Sequence, residues 1–270
     1  MRIGIDIMGS DNSPINLFEA VKLAAEQHNS STILVVIATH SVVNELKQVQ
    51  QNLVPSSNCA RIEFFPVPDA IAMSDEPLYA AAHKKDSSLV VGVRLLKKKL
   101  LDAFVTAGNT GALITTATLQ LPKLPGIKRP ALLAVLPTVN GSVAVLDIGG
   151  NVSCKAHHLV QFAYLGAAYQ SCSENIAVPK VALLNIGIEA IKGTSTTQQA
   201  YQTLKDQAPP KGLQIEFQGN IEGRDVFKGD TDVIVTDGIT GNVLLKTSEG
   251  VSSFIFEYIK EALLANSSTE

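Results

Sequence analysis

What this 270-residue chain lacks narrows its class before any motif is read. No apolar run approaches the ~20 residues that a membrane helix needs. The longest, such as Ile33 to Ala38, have the length of a strand. Cysteine is scarce. Cys59, Cys154 and Cys172 make neither an even framework nor a C-x-x-C, as expected in a reducing cytosol. No stripe of Lys and Arg interleaved with aromatics occurs, and net charge is −3, so no nucleic-acid partner is expected. No G-x-G-x-x-G follows the first apolar run, which weighs against a dinucleotide-dependent dehydrogenase. The Walker order G-x-x-x-x-G-K and a nucleophile elbow are missing as well. The start, M-R-I-G-I-D, already reads as a strand, and Asp6 interrupts any leader-like apolar stretch. With 46% hydrophobic and 17% charged residues, the expectation is a compact cytoplasmic protein rather than a disordered one.

One phrase occurs twice. Val105 to Gly111 reads V-T-A-G-N-T-G, and Val235 to Gly241 reads V-T-D-G-I-T-G. Each follows a strand-like apolar run and leads into a helical pattern. A Gly- and Thr-rich turn opening a helix leaves backbone N–H groups unpaired, with the helix dipole behind them. Glycine lets an anion approach that backbone closely. Strand-to-helix turns in any α/β protein favour the same residues, but two matching copies favour a site for phosphate or another oxyanion.

The rest reads as repeated strand–loop–helix units. Strands are expected at Arg2 to Ile7, Ile33 to Ala38, Arg61 to Val67, Asp102 to Thr106, Val143 to Ile148, Val181 to Ile186 and Asp232 to Thr236. Their continuous β-branched runs fit strands buried on both faces of a mainly parallel sheet. Helices are expected at Ile15 to Gln27, capped by Ser13 with Pro14 at its first position, and from about Val42 to Gln51. Soft boundaries fall at Asn52 to Asn58, Pro122 to Pro137 and Ala208 to Gly212. The length allows one large α/β domain or two lobes.

Unusual residues gather where strands should end, the edge at which open α/β sheets bind ligands. Asp6, Asp11 and Asn12 follow the first strand. No histidine stands near them at ligand spacing, so a metal is not expected. The run Leu146 to His158 carries Asp147, Gly149, Gly150, Asn151, Cys154, Lys155, His157 and His158. Cys154 with either histidine has the elements of a nucleophile and base, but its spacing equally suits one helical turn with a small buried thiol. Lys155 is the better anion ligand. Asn185, Glu189 and Lys192 follow another strand, and Lys192 with Gly193 and Thr194 suits either a phosphate oxygen or a surface helix start. A helix bearing His83, Lys84 and Lys85 near Ser87 and Ser88 reads as an anion-binding face, while Lys97 to Lys99 reads as a solvated one.

Taken together, these phrases resemble the bacterial phosphate acyltransferases of the PlsX type. The matching segments are D-I-M-G-S-D-N-S-P (6–14), M-S-D-E-P (73–77), H-K-K-D-S-S (83–88), T-A-G-N-T-G-A (106–112) and G-I-K-R-P-A-L (126–132). They continue with L-D-I-G-G-N-V-S-C-K (146–155), L-N-I-G-I-E-A-I-K-G (184–193), G-N-I-E-G-R-D (219–225) and T-D-G-I-T-G-N-V-L-L-K (236–246). The resemblance implies transfer of a long-chain fatty acyl group from acyl carrier protein to inorganic phosphate, giving acyl phosphate for phospholipid synthesis without a cofactor. It implies a homodimer, and a downstream acyl-phosphate acyltransferase as a further partner. It also implies a three-layer α/β fold, a mainly parallel sheet with helices on both faces, similar to isopropylmalate dehydrogenases and phosphotransacetylases. The domain expected is a single one over 1–270.

Since phosphate is the nucleophile, the protein has to orient it and supply donors to the developing oxyanion. Gly108, Thr110 and Gly111, and Gly238, Thr240, Gly241 and Asn242, are the expected anion-binding turns. Asn109, Asn151 or Asn185, with Lys192 or Lys246, would polarise the carbonyl or hold phosphate; Lys155 is a further anion ligand. Asp6, Asp147 or Asp237 would accept a phosphate proton. The chain departs from the family pattern at Ile7, Ser10, His83 and Gly150, and in following Glu189 with Ala190. His at 83 replaces a permanently charged Arg. Members continue for some tens of residues beyond this chain's end, through a helical pair that touches the inner face of the membrane. The expectation is a shortened C-terminal segment with that peripheral contact altered. Two other readings are a phosphotransacetylase acting on short acyl-CoA and a non-catalytic scaffold that binds acyl carrier protein.

Overall fold

The computed structural model describes residues 1–50 and 59–267, in two compact units, Met1–Lys123 and Leu124–Glu270. The division falls inside the proline-rich stretch expected to be a boundary. A second expected boundary, Asn52 to Asn58, lies outside the described residues.

The first unit runs β1 (Arg2–Asp6), α1 (Pro14–Gln27), β2 (Ile33–Thr39), α2 (His40–Gln50), β3 (Arg61–Val67), α3 (Pro77–His83), α4 (Ser88–Lys97), β4 (Ala103–Thr106) and α5 (Thr110–Gln120). Its strands are all parallel in the order β3-β2-β1-β4. The β2 sequence I-L-V-V-I-A-T shows how one strand serves two cores. Side chains alternate across a strand. Thus Leu34, Val36 and Ala38 pack with Phe18, Val21 and Leu46 of α1 and α2. Val35 and Ile37 point the other way, to Val91, Leu101 and Phe104. The expected start of α1 is observed: Ser13 accepts the Asn16 amide and Pro14 takes the first position.

The second unit runs β5 (Leu133–Thr138), β6 (Gly141–Leu146), α6 (Ala156–Ser173), β7 (Lys180–Asn185), α7 (Ser195–Asp206), β8 (Glu216–Glu222), β9 (Val233–Val235) and α8 (Gly238–Ser267). The strand order is β5-β6-β9-β7-β8, with only β5 antiparallel to its neighbour. One face (Ala144, Leu146, Val181, Leu183, Val233, Val235) buries Leu159, Phe162, Ala163 and Ala167 of α6. The other face (Val143, Val145, Ala182, Ile234) meets Ile221, Val226 and Leu244. Both units are thus parallel-rich sheets with helices on both faces.

Two strands escaped the sequence reading. β5, L-A-V-L-P-T, carries Pro137, which an edge strand tolerates because one side of its backbone needs no partner. β8, E-F-Q-G-N-I-E, lies at the opposite edge; Gly219 adopts φ +89° and the register slips between Val181 and Ala182, hiding its alternation. The face expected from His83, Lys84 and Lys85 is not one helix. α3 ends at His83 with Lys84 at its C-cap, and Ser87, at the N-cap position of α4, turns its hydroxyl to the Lys84 carbonyl instead of to the helix. Among the described residues, no helix is long and apolar enough to cross a membrane.

Candidate active site

In the first unit the candidate residues meet at the carboxyl ends of β1 and β4, which are hydrogen-bonded neighbours with Asp6 paired to Thr106. Asp6 is 2% exposed. Its Oδ1 accepts the Met8 amide at 3.0 Å and its Oδ2 accepts the Thr106 hydroxyl at 2.9 Å. Burial pushes this carboxyl above its ordinary value, and the donors from Met8 and Thr106 oppose the rise. The Thr106 hydroxyl in turn accepts the Gly108 amide at 3.0 Å. Carboxyl, hydroxyl and amide thus form one chain, Asp6–Thr106–Gly108. Thr106 is a member of the site that sequence reasoning passed over, although it stands inside the repeated phrase.

Asn109 has a different place from the one expected. Its Oδ1 caps α5 by accepting the Ala112 amide at 3.0 Å. Its Nδ2 faces three carbonyls of the M-S-D-E-P loop: Ala72 at 3.4 Å, Met73 at 3.1 Å and Asp75 at 3.1 Å. Asn109 therefore pins that loop to the start of α5. Lys84 pins it from the other side, donating to Asp75 at 2.7 Å and to the Ala70 carbonyl at 3.1 Å. The hydrogen bond from Lys84 holds the Asp75 carboxyl below its usual range, and Asp75 raises Lys84 in return. A side chain at Gly111 would press on Pro77. One at Gly9, where φ is +70°, would fall on the Ile71 carbonyl. With Leu113 bonded to the Asn109 carbonyl and Ala112 to its side chain, the Thr110 and Gly111 amides are the two at this helix start with no acceptor among the described residues.

The second copy of the phrase is built differently. Asp237 caps α8: its Oδ1 accepts the Ile239 amide at 3.0 Å and the Thr240 amide at 2.9 Å, and its Oδ2 accepts the Thr240 hydroxyl at 2.9 Å. The Gly238 amide bonds the Asn151 carbonyl and the Gly241 amide bonds the Asp237 carbonyl. Every amide of this first turn already has a protein acceptor, and the charge beside them is negative. Its glycines answer to packing. A Cβ at Gly241 would fall on the Asp147 carbonyl, and one at Gly238 would come within 2.5 Å of the Asn151 carbonyl. Asn242 is exposed, with its amide near Gly149.

Asp147, wholly buried, is the hub of that packing. Its Oδ1 accepts the amides of Leu132 (2.9 Å), Gly149 (3.3 Å) and Gly150 (2.9 Å), and its Oδ2 accepts the Asn151 side chain (2.7 Å). Asn151 also donates to the Pro130 carbonyl at 2.8 Å. These bonds tie the 126–132 segment to the end of β6, a partnership visible in sequence only as two separate phrases. Burial, then the Asp147 charge, pushes the Cys154 thiol up, away from the nucleophilic thiolate. The Lys155 amide donates to His158 Nδ1 at 3.1 Å, and burial lowers that imidazole, so it stays neutral. Lys155 itself is exposed at the start of α6.

The remaining candidates lie apart from one another. Asn185 closes the loop after β7, accepting the Ile186 amide at 2.8 Å and donating to the Lys192 carbonyl at 3.1 Å. Lys192 is exposed, and Thr194 rather than Lys192 caps α7. Lys246 sits on the surface of α8, paired with Glu249 at 2.8 Å. A groove of about 840 Å³ between α6, α7 and residues 125–127 is lined by His157 but by none of the expected anion ligands or proton acceptors.

The architecture places the chain in the class of α/β proteins built like phosphotransacetylases. The EutD phosphotransacetylase from Staphylococcus aureus superposes with a TM-score of 0.61, at 18% identity, over 93% of this chain and 82% of that one. Sequence comparison then resolves the family. The family described as "Fatty acid synthesis protein" matches residues 1–269. A phosphate acyltransferase of Exiguobacterium is 43% identical over 263 residues, covering 97% of this chain and 75% of the relative. One from Thermoanaerobacter pseudethanolicus is 39% identical over 98% of this chain and 75% of the relative. The chain belongs to this fatty acid synthesis protein family.

Proposed function

We propose that the chain transfers a long-chain fatty acyl group from acyl carrier protein to inorganic phosphate. Membership of its family makes it an acyltransferase; the donor and the chain length belong to the proposal. A phosphate oxygen attacks the thioester carbonyl carbon, the carbon–sulfur bond breaks, and the thiolate leaves, taking up the proton that phosphate gives up. Acyl phosphate and free thiol result, with no oxidant or cofactor in the balance.

The observation that carries this reading is the β4–α5 turn. Two amides without acceptors among the described residues and the positive end of a helix dipole stand beside a buried carboxyl that is linked to the same turn through Thr106. Thr110 and Gly111 would bind the phosphate, and Asp6 would take its proton. Asn109 acts by holding the 72–75 loop against this turn, not by touching the carbonyl. In the second unit, Asp147 and Asp237 are positioning residues, and Lys155 and Lys192 remain as cations for an anionic donor. Acyl phosphate made here would pass to an acyl-phosphate acyltransferase; a homodimer working in the cytoplasm and at the inner membrane face completes the proposal.

The test compares donors of one acyl chain carried on acyl carrier protein and on coenzyme A. A kcat/KM at least tenfold higher for the carrier-protein donor supports the reading. Equal values, or a preference for short acyl-CoA, would replace it with a phosphotransacetylase.

A further inference from the structure

Ser88, at the start of α4, is wholly buried, and its hydroxyl has no hydrogen-bond partner among the described residues. A buried polar group left unmet is costly, so it calls for a reason. Its neighbour does not share the condition: the Ser87 hydroxyl donates to the Lys84 carbonyl at 2.7 Å. Neither serine has a part in the acyl transfer described above.

The packing of α4 places the Ser88 hydroxyl over Asp6. α4 leads into the amino end of β4, so it runs antiparallel to β1 and β4 and starts at their carboxyl ends. A Cβ at Gly92 would fall on the Phe104 ring, and Phe104 pairs with Gly4. Side chains alternate across a strand, so Asp6 and Thr106, two residues on, face α4 as Gly4 and Phe104 do. Two strand residues advance about 6.6 Å. The four helical residues from Gly92 back to Ser88 span about 6 Å in the same direction. Burial raises the Asp6 carboxyl, and Ser88 stands close enough to oppose that rise while making no hydrogen bond.

The carboxyl has acceptor capacity to spare. An ionised carboxylate offers about four lone-pair sites, and Asp6 uses two, for the Met8 amide and the Thr106 hydroxyl. No charged group relieves it. β2, β4 and α5 carry no charged residue, and α4 carries Arg94 and Lys97 only in its last turn. On the flanking loops Asp11, Asp69 and Lys85 are exposed, Lys84 pairs with Asp75, and Arg94 pairs with Asp86. We propose that Ser88 is a positioning residue for Asp6: its hydroxyl turns onto the carboxylate as a third donor and keeps it ionised until the phosphate proton arrives. The proton then passes from the phosphate oxygen to Asp6 and on to the leaving thiolate, and Ser88 neither gains nor loses one. This rests on the reading of Asp6 as the proton acceptor.

Two measurements on the full chain test it. One is the pH dependence of kcat/KM for phosphate-dependent turnover; the other is the titration of the Asp6 carboxyl by carbon NMR, its signal assigned through Asp6→Asn. Ser88→Ala removes a donor to the ionised form, so the acid limb and the Asp6 titration should both move up by about one pH unit. Its melting temperature should hold or rise, because an unmet buried hydroxyl has gone. Ser88→Cys, a weaker donor, should move both pH values by less. Ser87→Ala should do the reverse, lowering the melting temperature and leaving both pH values in place. An Asp6 titration unmoved in both Ser88 variants overturns the proposal. An Asp6 titration that moves while the acid limb stays sinks the proton-acceptor reading itself, and the positioning role falls with it.

Discussion

Replacing Asn109 separates its two tasks, because serine, alanine and aspartate each remove a different part of the contact set. Alanine loses the cap on the Ala112 amide, about 1 kcal/mol. It also loses the two amide protons shared among the Ala72, Met73 and Asp75 carbonyls, about 1 kcal/mol each net. The total is about 3 kcal/mol. Serine can keep the cap and lose the tether, so Asn109→Ser should cost about 2 kcal/mol. Aspartate keeps the cap acceptor but turns a second oxygen towards carbonyls that Nδ2 now meets at 3.1 Å, so it should cost more than alanine at neutral pH. Protonating the introduced carboxyl restores a donor. Its penalty should therefore shrink as pH falls and grow as pH rises, the sign expected for an acid whose folded value is raised. Equilibrium urea unfolding at several pH values measures all three. An aspartate variant milder than alanine at pH 8, or an alanine variant costing less than about 0.5 kcal/mol, would refute the tether. Asn109 entered the sequence reading as a group whose removal lowers turnover with the fold intact; the geometry predicts lost stability as well.

Three further outcomes follow from the same contacts. Burial raises the Asp6 carboxyl, so its stabilising share is present below the usual carboxylate range and lost as pH rises through the raised folded value. Asp6→Asn should then leave the melting temperature at pH 8 unchanged or higher while turnover falls about 100-fold; the reverse pattern would make Asp6 structural. Lys84 holds Asp75 low, so that pair contributes above the usual carboxylate range and is lost as pH falls through the lowered value. Lys84→Met should cost at most about 1 kcal/mol at pH 7, the pair being partly exposed, and flatten the acid limb of stability against pH. Gly241→Ala puts a methyl on the Asp147 carbonyl, so loss of soluble folded protein is expected; a well-folded variant with an unmoved Tm would contradict the packing described.

Most strands were legible because a parallel strand covered on both faces reads as an unbroken β-branched run, as in I-L-V-V-I-A-T. The edge strands were not, since exposure admits Pro137 and Gly219 and breaks the pattern. The repeated phrase correctly marked two strand-to-helix turns. Sequence did not reveal that one turn leaves two amides open while the other is closed: the Asp237 side chain takes the Thr240 amide where Ala107 has no acceptor to offer, and the Gly241 amide is taken by the Asp237 backbone carbonyl, which residue type does not show. Asp147 and Asn151 stood out as polar residues at a strand end. Their partners, Leu132 and Pro130, lie 15 and 21 positions away and bond through backbone atoms, which leave no trace in residue type.

The most direct test of the account follows loss of a long-chain acyl–acyl carrier protein with and without inorganic phosphate, trapping acyl phosphate with hydroxylamine. Phosphate-dependent hydroxamate, lost in Asp6→Asn and retained in a Lys246→Ala control, is the result predicted. Thioester loss that ignores phosphate, or hydroxamate unaffected by Asp6→Asn, would contradict the assignment of phosphate to the Thr110–Gly111 turn.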